Sequence, residues 1–156
     1  MAELTMLERR RIEAGVLIPL IRAMQESFGE EAVNAVVART IRGIARAQGE
    51  AARAEAPVAS PRDLATWMAG GIFREGSLVA EVVEETDTRY GFDVRACHFC
   101  TMYADLGAGD LGFLLSCNRD FAFMEGLAPG LEFTRTRTRM EGAETCDFRY
   151  RARDGA

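Results

Sequence analysis

The hydrophobic residues of this chain change their period near Gly76, and that change limits what it can fold into. Before it they recur at helical spacing. Ile12, Val16, Leu20, Met24 and Phe28 stand four apart, with Leu17 and Ile21 beside them, which predicts an amphipathic helix from about Leu4 to Ser27 with that row as its buried face. Pro19 lies inside the pattern and lacks an amide proton, so it should kink or divide the helix. Gly29 ends it. A second helix follows, with Val33, Val36, Val37, Ile41 and Ile44 on one side and Arg39, Arg42 and Arg46 on the other, and the two read as an antiparallel pair. The alanine-rich stretch from Gln48 to Ala59 loses its period. Ser60-Pro61-Arg62-Asp63 then opens a third helix with a capping hydroxyl, a first-turn proline and an acid three residues after the cap, and Leu64, Trp67, Met68 and Ile72 form its buried side.

After Gly76 the pattern becomes strand-like. Ser77 to Thr86 is rich in valine, and Tyr90 to Cys97 alternates, with Phe92, Val94 and Ala96 opposite Asp93, Arg95 and Cys97. Asp87-Thr88-Arg89 fits the turn of a hairpin. Helical spacing returns from Phe99 to Leu106, stops at Gly107, resumes at Leu111, Leu114 and Leu115, and returns once more from near Asn118 to before Ala128-Pro129-Gly130. Leu131 to Met140 reads as a strand whose odd positions pass from Leu131 and Phe133 to Arg135, Arg137 and Arg139. Glu141-Gly142 is the turn, and Cys146, Phe148 and Tyr150 then alternate with Asp147, Arg149 and Arg151. The expected fold class is α+β: N-terminal helices packed on an antiparallel sheet of about four strands, with a helical insert between two hairpins. At 156 residues the chain is expected to be a single domain over 1–156, with a helical front half (1–75) and a sheet-containing half (76–153) that carries the motifs.

Composition excludes several chemistries. The net charge of −5 argues against a nucleic-acid surface. All nineteen basic residues are Arg, so no Schiff-base or phosphate-loop lysine exists, and the single His removes sites needing two or three imidazoles. A charged start without an apolar signal core, and no apolar run long enough to span a bilayer, point to a cytoplasmic protein without a membrane partner. The four cysteines are then expected to be free thiols. The amphipathic front helices offer more apolar surface than a small sheet covers, which favours a homo-oligomer.

All four cysteines and the histidine lie between Cys97 and Cys146. Cys97 ends a strand directly before a helix, where free amides favour a thiolate; the ordinary alternative is a small buried hydrophobe. His98 is adjacent but on the opposite face of a strand, so it need not reach Cys97. Cys97-x-x-Cys100 is half of a zinc or redox motif, without a second pair. Cys117-x-x-Asp120 can share one face of a helical turn and exchange a proton, or Asp120 can simply cap the next helix. Arg135, Arg137 and Arg139 offer forked donors to a carboxylate, or pair with Asp147 in the neighbouring strand.

Taken together, Arg95-Ala96-Cys97, Tyr103, Leu106-Gly107, Asp110-Leu111, Cys117-x-x-Asp120, Phe133-x-Arg135-Thr136-x-Thr138, Gly142 and Cys146-Asp147-Phe148-Arg149 resemble the L-2-amino-thiazoline-4-carboxylic acid hydrolase family. The resemblance implies ring-opening hydrolysis at a cyclic amidine-like C=N carbon of a small carboxylate-bearing substrate, toward S- or N-carbamoyl-cysteine in the aminothiazoline case. It makes Cys97, Cys117 and Asp120 the catalytic candidates. Arg135, Thr136, Cys146 and Asp147 become substrate-binding candidates, joined by His98 beside Cys97. No cofactor is expected. Two rival readings are a non-catalytic small-molecule-binding protein of the same fold and a protein that holds a soft metal on its thiols.

Overall fold

A computed structural model describes residues 4–153. The chain runs through α1 (Met6–Phe28), α2 (Glu30–Glu55), α3 (Pro61–Gly70), β1 (Leu78–Glu85), β2 (Arg89–Cys97), α4 (His98–Asp105), α5 (Gly109–Leu115), α6 (Asp120–Leu127), β3 (Leu131–Thr134) and β4 (Cys146–Ala152). The strands form one antiparallel sheet in the order β1-β2-β4-β3. Capping boxes start two of the helices: Thr5 with Glu8 at α1, and Ser60 with Asp63 at α3.

Pro19 neither divides α1 nor ends it. Pro19 and Gly15, whose carbonyl loses its amide donor, are both exposed, so water can satisfy that carbonyl. The buried face of α1 also differs from the expected row. Arg10, Ala14 and Ile21 are buried, with Leu17 and Met24 packed beside them, whereas Ile12, Val16, Leu20 and Phe28 are all more than half exposed. Residues strictly four apart drift about 40° round a helix at each step, while the alternating three-and-four spacing of 10, 14, 17, 21 and 24 stays on one side.

α2 continues to Glu55, well past the expected loss of period, because its last turns lie directly against α6. A Cβ on Gly49 would run into the Phe123 carbonyl, and one on Gly126 into that of Arg46, so these two glycines let the backbones of α2 and α6 touch.

The sheet has one dry face. Tyr90, Phe92, Val94, Cys146 and Tyr150 pack with Leu64 and Met68 of α3 and Met124 and Leu127 of α6. Its other face is covered by ion pairs, Arg95 with Glu81 at 2.8 Å and Arg149 with Asp93 at 2.7 Å. Ala14, Ile21, Val33 and Ile41 of α1 and α2 form a second cluster with Met102, Tyr103, Leu111 and Leu115.

The strand expected over Leu131–Met140 stops at Thr134. The reason is Asp147, which accepts from the amides of Thr136 and Arg137 at 2.9 Å and from Thr136 Oγ1 at 2.6 Å, and so takes up groups that a ladder would need. The expected row of three arginines is therefore dispersed. Arg135 turns toward Asp120, Arg137 donates to Thr145 Oγ1, and Arg139 donates to the Glu144 carbonyl.

Candidate functional site

A cavity of about 340 Å³ opens between the dry face of the sheet and the helices that cover it. Much of its wall is apolar, from Trp67, Phe92, Phe99, Phe123 and Phe148. Chemistry enters at three thiols, Cys97, Cys117 and Cys146, at two carboxylates, Asp120 and Glu75, the latter accepting from the Met6 amide at 2.9 Å, and at three guanidiniums, Arg10, Arg119 and Arg135.

Cys97 reaches this cavity through a bulge. Val79 pairs with Ala96 and Ala80 with Val94, so Arg95 has no partner on β1. One unpaired residue reverses the alternation, and Cys97 joins Phe92 and Val94 on the cavity side instead of following Asp93 and Arg95. Cys117 and Asp120 sit at either end of a single 3-10 turn, Cys117–Arg119, that links α5 to α6. The two residues between them hold that turn in place. Asn118 Nδ2 donates to the Ala38 carbonyl of α2 at 3.1 Å, and Arg119 Nε donates to the Leu115 carbonyl of α5 at 2.8 Å.

Arg135 donates to Asp120 Oδ2, and its guanidinium lies over the rings of Phe113, Phe121 and Phe148. Burial nevertheless outweighs the attraction of Arg135, Arg119 and Arg10, and pushes the Asp120 carboxyl up to about 6. Burial also raises the Cys117 thiol, with the Asp120 charge adding to it, so that Cys117 rests protonated. Cys97 and Cys100 divide a proton between them: the Cys97 side chain lowers Cys100, and Cys100 together with burial raises Cys97. Burial raises Cys146 against the Arg139 amide, which donates to its sulfur at 3.2 Å.

Of the residues singled out in the sequence, Cys97, Cys117, Asp120, Arg135 and Cys146 share the cavity wall. His98, Thr136 and Asp147 do not line it. His98 and Thr136 are exposed, and Asp147 points from β4 to the opposite side of the sheet from Cys146, where it anchors the segment that follows Arg135. Sequence reasoning missed Arg10 and Arg119. Arg10 heads a heptad-like row that continues through Ala14, Leu17 and Ile21, a signal masked by the apolar row four apart; Arg119 lies between the two residues of the Cys117-x-x-Asp120 motif. Among the described residues, no group of three or more His, Cys, Asp and Glu is placed to hold a metal ion, and no helix is long and apolar enough to cross a membrane.

The family model described as L-2-amino-thiazoline-4-carboxylic acid hydrolase matches residues 9–150, nearly the whole chain. A comparison with curated proteins finds no match. Among solved structures, the chain is similar to a trafficking protein particle complex subunit 3 from Naegleria fowleri, covalently bound to palmitic acid. The TM-score is 0.53 at 13% identity, covering 94% of this chain and 96% of that one, a likeness of fold.

Proposed function

We propose that this chain, which belongs to the L-2-amino-thiazoline-4-carboxylic acid hydrolase family, opens a cyclic amidine-like C=N ring in a small carboxylate-bearing substrate, with Cys117 as nucleophile and Asp120 as proton carrier. The observation that carries this reading is that a thiol and a carboxyl, Cys117 and Asp120, flank one 3-10 turn and line one cavity, and burial supports it by holding the thiol protonated and raising the carboxyl to about 6. A carboxyl of that strength is mostly ionised at neutral pH and can hold a proton at small cost, which suits it to taking the Cys117 proton while Sγ bonds to carbon rather than beforehand, and to giving it back.

In the first step Asp120 takes the Cys117 proton as Sγ bonds to the ring carbon, and passes that proton to the ring nitrogen. The thiol has then added across the C=N bond. Collapse breaks one ring bond at that carbon while a nitrogen that stays on the carbon forms C=N and gives up its proton, which Asp120 passes to the departing ring atom, so that it leaves as a neutral thiol or amine. The substrate remains attached to Cys117 through the former ring carbon. Water, losing a proton to Asp120, adds to the same carbon. The Cys117 sulfur leaves and recovers a proton, releasing a carbamoyl product; the sum is substrate plus one water. Arg135 orients Asp120, and its grip on the Cys117 carbonyl fixes the spacing of the pair.

Incubation of Cys117→Ala and Cys97→Ala proteins with 2-amino-thiazoline-4-carboxylate, with folding checked by circular dichroism and product measured by mass spectrometry, tests this. Turnover should fall by at least about 10³-fold in Cys117→Ala and less than about 10-fold in Cys97→Ala. Undiminished turnover in Cys117→Ala defeats the mechanism.

The aromatic wall supports a second reading, a non-catalytic binder whose cavity holds an acyl chain as a thioester on one of its thiols, by analogy with the palmitic acid on the trafficking subunit. Intact mass spectrometry of the purified protein discriminates the two. A hydroxylamine-labile acyl adduct together with no turnover selects the binder.

A further inference from the structure

We infer that Arg10 and Arg119 form an anion subsite in the cavity wall that receives the carboxylate of the ligand. The inference rests on the proposed function for the identity of the ring that the carboxylate carries, but not for the subsite itself.

Arg135, the arginine that the sequence offers for this task, already donates to Asp120 and to the Cys117 carbonyl, and its side chain is 4% exposed. Its positive charge is answered. Arg10 and Arg119 are differently placed. They come from α1 and from the 3-10 turn before α6, they are 8% and 7% exposed, and both line the same cavity as Cys117 and Asp120. One carboxylate serves both: Glu13 accepts from Arg10 Nη1 at 2.8 and 2.9 Å and from Arg119 Nη2 at 3.4 Å. Arg119 Nη1 is buried and finds no hydrogen-bond partner among the described residues.

An unanswered buried guanidinium nitrogen is costly, and native proteins seldom leave one without a reason. Here two guanidiniums share one hydrogen-bonding acid that is itself partly exposed, and the nearby Asp120 is already bonded to Arg135, so Arg119 Nη1 is left without an acceptor beside an apolar aromatic wall. A planar carboxylate supplies what is missing, a negative charge with two acceptor oxygens for forked donors. Anchoring a substrate there would leave its ring to extend along the aromatic wall toward Cys117 and Asp120. The α1 helix thereby becomes part of the site, although every motif that pointed to chemistry lies in the second half of the chain.

Titration calorimetry with a matched ligand pair tests the subsite: 2-amino-thiazoline-4-carboxylate, and 2-aminothiazoline, which has the ring without the carboxylate. A second pair, thiophene-2-carboxylate and its carboxamide, removes dependence on the amidine. The wild-type protein should prefer the acid within at least one pair by about 10-fold or more, and Arg10→Met and Arg119→Gln should each weaken the acid by about 10- to 100-fold while moving its neutral partner less than about 3-fold. Thermal melts exclude a folding defect, and Arg119→Lys, which keeps the charge without the fork, should fall between. Equal weakening of acid and neutral ligand, or no carboxylate preference in the wild type, overturns the subsite. An arginine-dependent preference without any turnover sinks the hydrolase reading and leaves the subsite standing; turnover with a preference indifferent to both arginines does the reverse.

Discussion

Asp120 opens α6 and faces the cavity, while Asp147 lies in β4 on the other side of the sheet, and both stand beside the segment that begins at Arg135. Asp120 accepts from one side chain, Arg135. Asp147 accepts from three donors, the Thr136 hydroxyl and the amides of Thr136 and Arg137. Burial raises both carboxyls. At Asp120 it wins, and the carboxyl titrates at about 6; at Asp147 the hydrogen bonds win, and the carboxyl is held below its ordinary value. Proximity to arginine does not separate the two. The number of fixed donors does: the acid with one partner titrates higher, and the acid with three holds backbone.

Neutralising each acid in turn separates their roles. Asp120→Asn keeps an oxygen for Arg135 to donate to but can no longer accept the Cys117 proton. Turnover of the aminothiazoline carboxylate should fall by about 10³-fold or more while circular dichroism shows the fold retained. A variant that retains a tenth of wild-type activity would remove Asp120 from the chemistry.

Asp147→Asn should do the opposite. Its amide presents N–H groups where Thr136 and Arg137 already donate, so the Arg135–Arg137 segment loosens and stability drops by about 1–3 kcal/mol in a urea melt. Turnover should change by less than about 10-fold, and through the position of Arg135 alone. If Asp147→Asn abolishes turnover without shifting the melt, the division of labour between the two acids is wrong.

Much of this contrast was hidden in the sequence for a physical reason. The helices, the hairpin β1–β2 and the alternation in β4 follow from hydrophobic period, which is local. The Cys117-x-x-Asp120 spacing survives into the structure because one turn of chain holds both residues. The bulge at Arg95 does not announce itself in the alternation of β2, which puts Cys97 on the polar face although the structure turns it to the cavity. The early end of β3 depends on a carboxylate in the next strand capturing two amides, a tertiary event. Thr136 and Asp147 therefore read as ligand contacts, and the structure shows the Asp147 carboxylate bonded to the Thr136 hydroxyl and to the amides of Thr136 and Arg137. Arg10 was obscured by a competing row of apolar residues four apart, whose drift round the helix leaves Ile12, Val16 and Leu20 exposed and turns Arg10 inward.

The smallest effect is the most diagnostic, because it reads both acids in the same experiment. An acid raised on folding binds its proton in the folded state at pH values where the unfolded chain has lost it, so its contribution to stability is full below the ordinary Asp value of 3.8 and disappears as pH rises through about 6. For Asp120, one third of whose side-chain surface is exposed, this amounts to about 1–2 kcal/mol after allowance for screening. Asp147 works in the other direction: its contribution is present above 3.8 and is lost as pH falls through its lowered folded value. Urea unfolding between pH 3 and pH 7 should then show wild-type stability declining from about pH 4 to 6 relative to Asp120→Asn, with the two parallel below pH 4, and an acid-side loss that is shallower in Asp147→Asn. Parallel curves for wild type and Asp120→Asn across pH 4 to 6 would mean that Arg135, not burial, sets the proton affinity of Asp120. The carboxyl would then be a fixed anion at every working pH, a partner for Arg135 as Asp147 is for Thr136, and Asp120 would carry no proton between thiol and ring.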